Sequence, residues 1–164
     1  MAISNAFKFA NNILTNGGYD AADLVGAAGG KVLQVVTATT ISPTVTTSTS
    51  FVDMNLSLSI TPSSASNKIF LIYTGGNETN GQNKEVIVQM LRDTTQIGQS
   101  CMKSFATAGY VITQSITKLD SPNTTSSITY KMQGKSGDGT IIVLNVNPNS
   151  NDNTGTLTAF EIAV

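Results

Sequence analysis

The chain has 164 residues, enough for one domain with its own core and small for two. Charged residues make up 12% and balance to a net charge of −1, while Ser, Thr and Asn supply about a third, so neither broad attraction to nucleic acid or anionic lipid nor the charge-rich character of a disordered chain is expected. There is no histidine and one cysteine, Cys101, which removes Ser-His and Cys-His nucleophile pairs, the commonest metal ligand and any disulfide within the chain.

Residues 3–16 carry a single apolar stripe at helical spacing: Ile3, Ala6, Phe7, Ala10, Ile13 and Leu14. Ser4 or Asn5 caps the start of the predicted amphipathic helix, and Gly17-Gly18 ends it. A helix of about 20 Å is marginal alone in water. The face formed by Ile3, Phe7, Ala10, Ile13 and Leu14 must therefore dock, either on its own sandwich or trimer mates or on a larger assembly. The opening lacks both a charged n-region and a continuous apolar h-region, so no secretion signal is expected, and no apolar run reaches the roughly 20 residues that cross a bilayer. Gly26–Gly30 is a Gly-rich junction, dividing a helical attachment segment, 1–30, from a β-sandwich domain, 31–164.

From Lys31 the apolar period changes to that of strands. KVLQVVTAT ends near Pro43, and TTSTSFVDM leads into Leu56, Leu58 and Ile60, which alternate with Ser57, Ser59 and Thr61. Lys68–Thr74 is apolar enough for a strand covered on both faces. Gly75–Lys84, GGNETNGQNK, is the longest polar stretch and is expected to be a surface loop. Glu85–Arg92 is assigned as a strand, Asp93-Thr94-Thr95 as a turn, and residues 99–109 give no clear pattern. Tyr110–Leu119, Ser127–Gln133, Thr140–Val146 and Thr156–Val164 are four further strands.

LSLSI–KIFLIY, SITKL–SITYKM and IIVLNV–TLTAFEI form hairpin-like units, each with proline near the start of a polar corner. Strands with almost no helix between them exclude a parallel α/β sheet. The expected fold is all-β: an antiparallel β-sandwich of jelly-roll type preceded by the short helix.

No constellation for catalysis stands out. Cys101 lacks an activating partner and is expected to be a half-buried small apolar residue. The carboxylates, from Asp53 to Glu161, are scattered singly, whereas a glycosidase needs two that face each other. Asn149–Gly155 alternates oxygen ligands, but Phe160 occupies the position where a calcium loop carries its bidentate Glu, so it reads as a turn. Asn145 and Asn147 share a strand face, as a polar edge or subunit seam. No cofactor, metal or enzyme activity is expected.

The segments GKVLQVVTATT, TSTSFVDMNLSLSITPSSASNKIFLIYTGG, the SPNTTS corner and the closing TLTAFEIAV resemble a family of small β-rich proteins of tailed bacteriophages, many of them marine. The resemblance implies a structural or fibre-like component located in the virion. It carries over no catalytic or binding residue, and it leaves tail and head equally open. The expected partners are other virion proteins, further copies in a homotrimer and a cell-surface glycan, with no nucleic acid bound and no membrane insertion. A surface of neutral hydroxyls and amides suits a salt-rich medium, which screens charge contacts. The candidate recognition residues lie in two exposed stretches: Asn77, Glu78, Asn80 and Gln82, and Asn123 and Thr124. Capsid decoration without host contact is the alternative, and carbohydrate processing a third.

Overall fold

The structure, a computed structural model, describes residues 30–105, 110–145 and 155–164. They form ten strands and no helix: β1 (Val32–Thr40), β2 (Thr44–Thr46), β3 (Val52–Ile60), β4 (Lys68–Thr79), β5 (Glu85–Arg92), β6 (Thr95–Lys103), β7 (Tyr110–Asp120), β8 (Ile128–Ser136), β9 (Ile142–Leu144) and β10 (Gly155–Ile162). The predicted helix with Ile3, Phe7, Ala10, Ile13 and Leu14 lies outside the described residues. So do the junction up to residue 29, Asn147, and all of the Asn149–Gly155 turn except its last residue.

Two antiparallel sheets make up the fold. The larger has β1, β10 and β4 side by side. One edge of β4 carries β10 beside Lys68–Thr74 and β9 beside Glu78–Thr79, and its other edge carries β7 from Ile69 to Thr79. β2 adds outside β9. The smaller sheet has the order β3-β8-β5-β6.

Strand alternation builds the core between them. Met54, Leu56, Leu58 and Ile60 of β3 turn inward with Val86, Val88, Met90, Tyr130 and Met132. Ile69, Leu71, Tyr73, Leu157 and Ala159 meet them from the larger sheet. Each such side chain taken fully out of water contributes on the order of 1.5–3 kcal/mol. Gly134 makes room in this layer: a Cβ there would lie 2.6 Å from a Leu144 methyl.

The three hairpin-like units are not hairpins. β3 and β4 lie in different sheets, as do β7 and β8, and β9 and β10 both pair with β4 rather than with each other. Among the described residues only β5 and β6, joined through Asp93-Thr94, are sequence neighbours that pair. A corner of several residues around a proline lets the chain step across the sandwich, whereas a two-residue turn holds both strands in one sheet. The pairing is instead nested: β5 with β6, β4 with β7, β3 with β8, and β1 with β10.

Three smaller expectations also change. The outward face of Lys68–Thr74 is only partly covered: Lys68, Phe70 and Ile72 are half-buried and Thr74 is exposed. Of the strand expected over Thr140–Val146, Ile142–Leu144 is strand, Thr140 and Ile141 are not, and Val146 lies outside the described residues. Asn145 leaves the ladder with φ of 74° and turns inward, so it is fully buried and forms no polar edge. Part of the unassigned 99–109 stretch is strand, with β6 running to Lys103.

Candidate functional site

The two candidate recognition stretches emerge at opposite ends of the sandwich. Asp120, where the corner holding Asn123 and Thr124 begins, pairs with Ile69, while Asn80 and Gln82 follow Thr79 at the other end of the same strand. Ten residues of strand separate these ends by roughly 33 Å, so they cannot form one binding surface. Asn123 is exposed in the left-handed region (φ 54°), and Thr124 is half-buried with its hydroxyl accepting from the Ser126 N–H at 3.0 Å. Asn80 and Gln82 are exposed in the β4–β5 turn.

Asn77 and Glu78 are not in a loop. The polar run Gly75–Thr79 continues β4, because β7 pairs with it along its whole length. Asn77 is fully buried, with its Nδ2 donating to Gln114 Oε1 at 2.8 Å and its Oδ1 accepting from the Asn145 N–H at 3.0 Å. Tyr73 completes the cluster: its hydroxyl donates to Asn145 Oδ1 at 3.4 Å, and burial pushes its pKa up to about 12 against the opposing Asn77 contact. Glu78 is half-buried, and its Oε2 has no hydrogen-bond partner. Composition suggested a surface loop because these amides are polar. Their hydrogen-bonding capacity is satisfied inside the sandwich instead.

Two buried carboxylates hold the opposite end. Glu161, 1% exposed, accepts from Gln34 Nε2 (2.6 Å), the Ser63 N–H (2.7 Å), Ser63 Oγ (2.7 Å) and Asn67 Nδ2 (2.6 Å). Burial pushes its pKa up, but these donors win and hold it at about 2. The SITPSSASNKI corner and the closing strand, far apart in sequence, are thereby joined. Asp120 accepts from Arg92 Nη1 (2.9 and 3.0 Å) and from the Tyr130 hydroxyl (2.7 Å). Burial first, then this carboxylate, raise the Tyr130 pKa.

One concave feature of the described surface lies at a break in the β3–β8 ladder. Asp53 pairs with Gln133 and Ser57 with Lys131, so Met54, Asn55 and Leu56 stand opposite Met132 alone. Asn55 adopts φ of 54°, which asparagine tolerates better than most residues. From inside, Asn145 Nδ2 donates to the Met54 carbonyl; from outside, Asn55 Nδ2 donates to Thr44 Oγ1 at 3.3 Å. The break opens a hollow of about 190 Å³ lined by Asp53, Asn55, Leu56, Ser57, Lys131 and Met132. Lys131 Nζ lies 3.5 Å from Asp53 Oδ1, which also accepts from Gln133 Nε2 at 2.7 Å.

The sequence does not reveal this hollow. Two extra residues in β3 leave its inward–outward alternation intact, so the period-two pattern passes through the break unchanged.

Cys101, expected to be half-buried, is exposed on β6, since it lies on the outer face of an edge strand. Burial and then Glu85 raise its pKa, against Lys103. Among the described residues no group of three or more Cys, Asp or Glu side chains is placed to hold a metal, and no helix is long and apolar enough to cross a membrane. No protein-family model matches the chain, and no curated protein matches its sequence.

Proposed function

We propose that the chain is a non-enzymatic bacteriophage virion structural protein whose sandwich is a jelly roll that presents its surface to host-cell glycans. The observation that carries this reading is the nested pairing of β1 with β10, β3 with β8, β4 with β7 and β5 with β6. One long hairpin rolled into two facing sheets gives that order, and the resulting jelly roll is an architecture of viral capsid and lectin domains. The resemblance of its strand and corner segments to phage structural proteins points the same way. So does a surface whose polarity comes from neutral hydroxyls and amides.

Assembly as a homotrimer or against other virion proteins draws support from the outer face of the larger sheet. Val35, Phe160, Phe70 and Leu119 form one row across four paired strands. Val35 and Leu119 are 53% and 51% exposed, and the two phenylalanine rings pack 6.1 Å apart. The same row favours the second reading, capsid decoration, in which it would cover part of the shell instead.

The test is adsorption of the purified chain to host cells, with and without enzymatic removal of surface glycans, alongside antibody labelling of intact particles. Glycan-dependent adsorption and labelling of the tail or another appendage are expected. Labelling of the head without adsorption would replace this reading with decoration, and catalytic turnover of a glycan would overturn its non-enzymatic part.

A further inference from the structure

We infer that the hollow in the β3–β8 ladder is a binding site for a single neutral sugar ring, an inference that rests on the glycan-attachment reading and gives it a location. At about 190 Å³ the hollow is smaller than the roughly 300–1,000 Å³ of pockets that enclose drug-sized ligands, which suits one ring of a longer chain.

Its rim is chemically matched to vicinal hydroxyls. Asp53 Oδ2, Asn55 Oδ1 and Ser57 Oγ have no hydrogen-bond partner among the described residues, and Lys131 Nζ has only the 3.5 Å contact with Asp53. A sugar hydroxyl both donates and accepts. Adjacent hydroxyls can therefore donate to the carboxylate and amide oxygens while accepting from the ammonium. One carboxylate and one ammonium cancel, so the site offers no net charge to attract an acidic or a basic sugar.

The site is also pre-formed. Asn145 from inside and Thr44 from outside hold the bulged segment, so little ordering cost remains for a ligand. Bulges at sheet edges discourage strand pairing between molecules, and β3 is an edge. That protective role does not call for four polar residues lining one concavity. It also does not call for a non-glycine residue in the left-handed region at its centre.

The experiment is NMR of the isotope-labelled full chain titrated with methyl glycosides of neutral hexoses and N-acetylhexosamines, with glucuronic and sialic acids as charged comparators. Saturable shifts at Asp53–Ser57 and Lys131–Gln133 are expected for at least one neutral glycoside. Ser57→Leu, which fills the hollow from an exposed position, should weaken binding at least tenfold, and Asp53→Asn should weaken it several-fold. Asn80→Ala and Gln82→Ala should bind as the unaltered chain does.

If host adsorption depends on glycans but the shifts map to the β4–β5 turn or the β7–β8 corner, the location fails and the attachment reading stands. If the chain adsorbs to no glycan and shifts with no glycoside, both fail. Tighter binding of the charged sugars would overturn the assignment to a neutral ring.

Discussion

Replacing Glu161 with glutamine tests how this sandwich is fastened at one end. The carboxylate has four donors and no ion-pair partner among the described residues, and its pKa falls from an ordinary 4.5 to about 2. In the unfolded chain Glu161 takes up a proton near 4.5, whereas in the folded chain it resists until about 2. Its contribution is therefore complete above the higher value and is lost as pH falls through the lower. At about 1.4 kcal/mol per pKa unit the shift corresponds to about 3 kcal/mol, a figure that solvent screening at this end of the sandwich reduces to about 2.

Glu161→Gln keeps the shape but turns one acceptor oxygen into a donor facing a donor, so it should forfeit about that amount at neutral pH. Urea denaturation of both chains at steps from pH 7 to pH 2 is the assay. With a urea slope of about 1–3 kcal/mol per molar, the midpoint at pH 7 should fall by about 1 M. The gap should close as pH drops below about 4.5, because only the unaltered chain loses this contribution in that window. Taking the difference between the two chains cancels carboxylates such as Asp138, whose pKa also lies low at about 2 because of the Lys84 hydrogen bond. A constant gap down to pH 2, or no gap at pH 7, would show that these donors do not stabilise the ionised carboxylate.

The other buried elements give separate outcomes. Gly134→Ala places a Cβ against the Leu144 methyls and should cost about 1–3 kcal/mol through overpacking, read as a lower urea midpoint. Arg92→Met strands the Asp120 carboxylate, which is only 7% exposed, and should cost about 3–5 kcal/mol, whereas Tyr130→Phe should cost only about 1–2. In an ultraviolet pH titration Tyr73 should ionise only near pH 12, with Tyr130 silent until the chain unfolds; a phenolate signal from either near pH 10 contradicts the burial argument. Cys101 should react with a thiol reagent in the native state without denaturant, and its labelling rate should rise through a pH above the ordinary thiol range.

The all-β class followed from local chemistry. Apolar residues at period two, as in Leu56, Leu58 and Ile60 alternating with serines, fit a half-buried strand and little else. Proline corners marked where strands stop, because proline cannot donate to a ladder. What those corners join was not written locally. Pro62 and Pro122 sit in turns that cross between sheets, and only the packing of two apolar faces decides that β3 pairs with β8 and not with β4.

The candidate residues divide along the same line. Asn80, Gln82 and Asn123 lie on the surface as their polarity suggested, but on opposite ends, which depends on the register of β4 and β7. Asn77 and Asn145 carry the same polarity and are buried, because each satisfies the other's backbone or side chain across 68 residues of sequence. The hollow beside Asn55 was invisible for a geometric reason: an insertion of two residues restores the strand's alternation. Sequence determines which faces of each strand seek the core. Long-range pairing alone decides where the ladder opens and which polar groups are left facing the gap.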